Sequence, residues 1–166
     1  MSHEGNPRFQ VYSLPGLLPQ GDTLVLNRAL RVLTQVTVNG DLVEQCRLNP
    51  DSVGMLEALL TTTPRYCSDV VLLAAKTGES EERCAQRLRW AKEAEDPLVY
   101  DNLMRPVRGA ISRLRERLQR FHLDLRALIG TGYLLIALSP STAMARIAQE
   151  DKSHDWERKE KEDQEL

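Results

Sequence analysis

The sequence predicts an α+β fold, and three observations carry that prediction. Apolar and polar residues alternate through roughly the first 45 positions, helical spacing takes over through the middle, and a hairpin pattern follows the last helix. At 166 residues and 42% hydrophobic content, the chain can bury one substantial core. The expected organisation is one domain over residues 1–139, followed by a short helix and a charged tail over 140–166.

The N-terminal strands are read from period-two alternation. RFQVYSL (8–14) and DTLVLN (22–27) each alternate, and RVLTQVTVNGDLVEQCRL (31–48) reads as a hairpin whose Asn39-Gly40 pair fits a type I′ turn. Two helices are expected within RLNPDSVGMLEALLTTTPRYCSDVVLLAAK (47–76). A further helix is expected over about 80–95, with acids in its first turn and Pro97 stopping it. On that helix Cys84, Leu88 and Ala91 make a narrow apolar stripe, while Trp90 falls among Arg83, Gln86 and Arg87 on the far side. Trp90 and Arg87 are the candidate partner-binding residues, since an aromatic on a polar face can anchor a partner. Trp90 equally fits a role in covering another part of the fold.

The stretch from Arg105 to Leu138 says most about function. In PVRGAISRLRERLQRF, Val107, Ile111, Leu114 and Leu118 form one stripe on a helix expected from about 102 to 121. Arg105, Arg108, Ser112, Arg115 and Gln119 line one flank; Arg113, Arg117 and Arg120 line the other. Positions 105–120 hold six arginines and one acid, in a chain whose formal net charge is −2. A local field of that kind suits a phosphate-lined partner, because the contacting face steers binding whatever the charge of the whole. Basic side chains on a solvated helix face are also common without any partner. The helix is followed within ten residues by GTGYLLIAL (130–138), where two glycines around one residue permit a tight hairpin and Tyr133 can pack its ring on the core.

These segments together resemble the OmpR/PhoB-type winged-helix DNA-binding domains of bacterial transcription regulators. Val107, Ile111, Leu114, Arg115 and Leu118 fill the family's V-x-x-x-I-x-x-L-R-x-x-L pattern, and Gly130, Thr131, Gly132 and Tyr133 fill its G-x-G-Y. The likeness runs from about residue 28 to 138. It implies a winged helix-turn-helix with an N-terminal antiparallel sheet, an inserted helix before the recognition helix, and a C-terminal wing hairpin. It also implies duplex DNA as partner, a homodimer on DNA, and contacts from Arg105, Arg108, Ser112, Arg113, Arg115 and Arg117 on the helix and Arg126 and Thr131 at the wing. The sequence departs from the pattern twice. Ile129 stands where the family often carries a wing arginine, leaving Arg126 to take its place, and about 25 residues (77–101) lengthen a loop that often faces RNA polymerase.

Other classes find little support. No P-loop, dinucleotide fingerprint, H-E-x-x-H or paired carboxylates with a base occur, so neither an enzyme nor a cofactor is expected. Cys46, Cys67 and Cys84 match no zinc or redox spacing, and no metal site is expected. Without a long apolar run or a secretory signal, the expected location is cytoplasmic and nucleoid-associated, with no membrane partner. The chain has no room for a phosphoacceptor receiver domain, so control by aspartate phosphorylation is not expected. Two function classes follow: a sequence-specific transcriptional regulator, bacterial or from a mobile element, or a winged-helix adaptor that modulates another regulator or RNA polymerase through residues 77–101 without touching DNA.

Overall fold

The computed structural model describes residues 8–62 and 64–138. Alternation builds the first layer, in which β1 (Phe9–Ser13), β2 (Thr23–Asn27), β3 (Val32–Val36) and β4 (Leu42–Arg47) pair antiparallel in chain order. Val11 lies opposite Val25, Val25 opposite Thr34, and Thr34 opposite Gln45. Because side chains alternate across a strand, that register sends Leu24, Leu26, Leu33 and Cys46 to the other face, where all four are buried. The β3–β4 turn differs from the expected type I′. That turn requires φ > 0 at both central residues, whereas only Gly40 of the Asn39-Gly40 pair has it, at 88°. Gly40 N–H donates to Thr37 O and Thr37 N–H to Asp41 O, both at 2.9 Å, closing a three-residue loop with glycine in the left-handed region. The ladder slips beside it, between Gln35 and Val36.

Four helices follow: α1 (Pro50–Thr61), α2 (Asp69–Thr77), α3 (Glu81–Glu93) and α4 (Leu98–Gln119). Pro50 starts α1 where a missing N–H costs nothing. Its last carbonyls, Leu60 O and Thr62 O, accept from the Arg65 guanidinium, which also reaches Ser13 O on β1 at 3.3 Å. Ser68 and Ser80 cap α2 and α3, accepting from Val71 N–H and Arg83 N–H, and Gly78 ends α2 at φ 74°. The expected helix at 80–95 is therefore α3, slightly shorter. Helix α4 begins one turn before the expected start near 102, and its first amide, Leu98 N–H, donates to the Asp96 carboxylate at 2.9 Å. Pro106 lies inside α4, so the Asn102 carbonyl has no helical donor.

Strands β6 (Leu123–Leu128) and β7 (Gly132–Ala137) form the expected hairpin, and a three-residue strand, β5 (Tyr66–Ser68), joins it in the order β5-β7-β6. Gly132 is required by this pairing: a Cβ there would lie 2.0 Å from Cys67 O on β5. Buried side chains from all four helices and from both sheets form one cluster, with Met55, Leu59, Leu72, Leu114 and Phe121 fully enclosed. The fold is thus mixed α+β, an antiparallel four-stranded sheet and a small second sheet packed around four helices. The helix and tail expected over 140–166 lie outside the described residues.

Candidate nucleic-acid interface

Helix α4 buries Met104, Val107, Ile111, Leu114 and Leu118, which fixes the rest of its circumference. Arg105, Gly109, Ser112 and Glu116 point most nearly away from the core. Arg108 and Arg115 lean toward the β6–β7 hairpin, whereas Arg113, Arg117 and Arg120 lean toward α1 and β4. All eight residues expected at DNA are exposed. Their partners divide the six arginines among them into three groups.

Arg105, Arg117 and Arg126 have no carboxylate within ion-pair distance among the described residues. Arg108 pairs with Asp101 at 2.8 Å and Arg113 with Asp51 at 3.5 Å, and both pairs are about half exposed. Such pairs are worth about 0–1 kcal/mol, so either guanidinium can exchange its carboxylate for a phosphate at little cost. Asp51 is also held by Lys76, whose hydrogen bond keeps the carboxyl below its usual range. It loses little when Arg113 leaves.

Arg115 is different. Its Nε–H and Nη2–H groups donate to both oxygens of Asp124 on β6, the second at 2.9 Å, and Leu125 N–H donates to the same carboxylate at 2.9 Å. Asp124 is only 7% exposed. Burial pushes its carboxyl up, but the Arg115 and Leu125 hydrogen bonds outweigh burial and hold it below the usual range. Pulling Arg115 away would strand a buried charge. Arg115 therefore fastens the hairpin to α4, a role its expected place at DNA did not include.

The hairpin holds two more of the expected residues. Arg126 shares a sheet face with Asp124 and lines a shallow cleft with Arg115 and Ile136, so it does not replace the arginine missing from the wing tip. Thr131 is a loop fastener: its hydroxyl donates to Leu128 O at 3.0 Å, and its carbonyl accepts Asp69 N–H and the Tyr66 hydroxyl, both at 2.9 Å. The tip itself is Ile129, 99% exposed.

Helix α3 supplies cations that the sequence reading passed over. Lys92 Nζ donates to Gly130 O at 3.1 Å and sits 5.5 Å from the centre of the Tyr100 ring. With Arg89 it lines a cleft of about 500 Å³ between α2, α3 and the hairpin loop. Their i, i+3 spacing on the helix flank away from Trp90 was the available signal; that the hairpin loop would meet them was not. Tyr100 bridges the same region by donating its hydroxyl to Asp69, and burial followed by that hydrogen bond raises its pKa well above the ordinary tyrosine value. On the opposite flank Trp90 is 67% exposed, as its position implied. Arg87 beside it is tied to Glu79, which also holds Arg83 at 3.6 Å.

Among the described residues no cluster of His, Cys, Asp or Glu could hold a metal ion, and no helix is long and apolar enough to cross a membrane. No family model, characterised protein or solved structure matches the chain.

Proposed function

We propose that the chain binds duplex DNA through α4 and acts as a sequence-specific transcriptional regulator. In this reading the run from α1 to β7 is a winged helix-turn-helix. Helix α4 is its recognition helix, the β6–β7 hairpin is its wing, and α3 is an addition between the second and recognition helices. One observation carries the proposal: the outward face of α4 presents Arg105 and Ser112, flanked by Arg108 and Arg113 on pairs weak enough to exchange. A side chain such as Arg105 can grip a phosphate or read a guanine edge in the major groove. Phosphate contacts would set the register, and one or two base contacts would set the sequence.

The decisive experiment selects bound fragments from randomised duplexes with the purified protein, then follows affinity for the winner against salt. Three phosphate contacts, from Arg105, Arg108 and Arg113, give an expected log–log slope of about −2.7. No enrichment, and no binding at low salt, would overturn the proposal.

A second reading rests on a specific observation. The hairpin tip is an isoleucine and α3 exposes Trp90, an apolar pair of features that suits a protein partner. An adaptor of this kind, acting on another regulator or on RNA polymerase, would keep its partner when Arg105, Arg108 and Arg113 become alanine and lose it in Trp90→Ala. The DNA-binding reading expects the reverse.

A further inference from the structure

An antiparallel sheet with one solvated face ordinarily carries polar side chains on that face. The four-stranded sheet here is apolar at about half of the positions on that face. Its register gathers Phe9 and Val11 of β1, Val25 of β2, Val32 and Val36 of β3, and Leu42 of β4 on the face turned away from the helices. None of the six packs against the core. Phe9, Val11 and Leu42 are about half exposed or more, Val11 the most at 64%. The other positions on this face are hydroxyl and amide residues, apart from one charge, Arg47, at a corner of the sheet.

We infer that this face is where two copies of the chain pair, sheet on sheet. A two-fold axis sets each side chain near its own mate or a symmetry-related neighbour, so a self-pairing surface must avoid like charges at its centre. This face carries no carboxylate and keeps its single guanidinium at the margin. The basic side of α4 and the arginine-flanked side of α3 fail that requirement. Size agrees as well. Four strands about 4.8 Å apart and five residues long give a face of about 19 by 17 Å, and two of them pressed together at about 10 Å cover about 650 Å² in projection, the size of a weak, reversible contact. The β-branched valines suit the interdigitation such packing needs. At one border lies β1, which pairs only with β2 among the described residues and has neither proline nor lysine to guard its free edge.

The test is sedimentation equilibrium of the full chain without DNA, over a concentration series reaching the high micromolar range. The expected result is reversible monomer–dimer exchange for the unaltered protein. Val11→Lys and Thr34→Lys, which place a charge in the central row of the face, should each weaken dimerisation at least tenfold while retaining the parent melting temperature. Two variants from different strands guard against a single folding failure. A protein monomeric at every concentration overturns the inference, and that result is also expected if residues 1–7 or 139–166 cover the face themselves. A dimer indifferent to both lysines overturns it too, by placing the interface elsewhere. No DNA enters the measurement, so its outcome is independent of the proposed function.

Discussion

Arg105 and Arg115 stand on the same helix, and both are exposed, yet their surroundings give them opposite work. Arg115 meets a carboxylate that is itself buried, accepts a second donor from the backbone, and belongs to the hairpin. Arg105 meets no carboxylate among the described residues. The contrast shows that the availability of a surface arginine is set by the burial of its partner more than by its own exposure. Arg108 and Arg113, half exposed like Arg115 but paired with partly exposed acids, fall on the side of Arg105.

The widest gap should appear in stability. Arg115→Ala leaves Asp124 buried and unpaired and should cost about 2–3 kcal/mol in urea unfolding, below the full penalty for a buried pair because the guanidinium itself is half exposed. A loss under about 0.5 kcal/mol would erase the distinction between the two arginines. Acid provides a second lever of somewhat smaller size. The Asp124 pKa is depressed in the folded state, so its contribution is present above the unfolded carboxylate value near 3.9 and is lost as pH falls through the lower folded value. Thermal melts from pH 7 down to pH 3 should therefore show wild type and Arg115→Ala converging at the acid end. A constant separation would sink the assignment.

On the other side of the comparison, Arg105→Ala should leave the melt untouched, weaken DNA binding by about tenfold and reduce the salt slope by about one. Uniform weakening across sequences would mark Arg105 as a phosphate contact, and relaxed preference at one base pair would mark it as a reader. The smallest effect belongs to Arg108→Ala, whose loss of the exposed Asp101 pair should change stability by less than about 0.5 kcal/mol. A larger drop would move Arg108 into the structural group with Arg115.

Much of the architecture was legible because it follows from local periodicity. Leu24, Leu26 and Leu33 alternate with polar or β-branched neighbours, and Val107, Ile111, Leu114 and Leu118 repeat at helical spacing, so elements could be read directly. Strand β5 was missed, since three residues hold too short a stretch for any period to register. Its existence is dictated from a distance by Gly132, the position on β7 that admits close approach of Cys67 O. The apolar outer sheet face was hidden for another reason. In TLVLN both Leu24 and Val25 are apolar, and only the register across four strands reveals that Val25 points away from the core.

The candidate site was read less well, for the same physical cause. Composition placed six arginines on α4 and its C-cap, but which of them is occupied depends on acids brought in by other elements: Asp51 from α1, Asp124 from β6, Glu44 from β4. Arg115 and Asp124 are separated by the chain reversal at His122, where φ is 56°, and no helical spacing anticipates that pairing. The cations at the hairpin loop come from α3, whose approach to Gly130 is a tertiary event.

Pro106 gives α4 two thermal personalities. The turn preceding it lacks one rung of the backbone ladder, since the Asn102 carbonyl finds no amide four residues on, while Ile111, Leu114 and Leu118 are clamped into the core behind it. Amides in the first two turns should therefore exchange with deuterium by local fraying, and those beyond the third turn only through wholesale opening. Arg105 sits at that boundary, one residue before the missing rung and joined to a segment held by Ile111, Leu114 and Leu118.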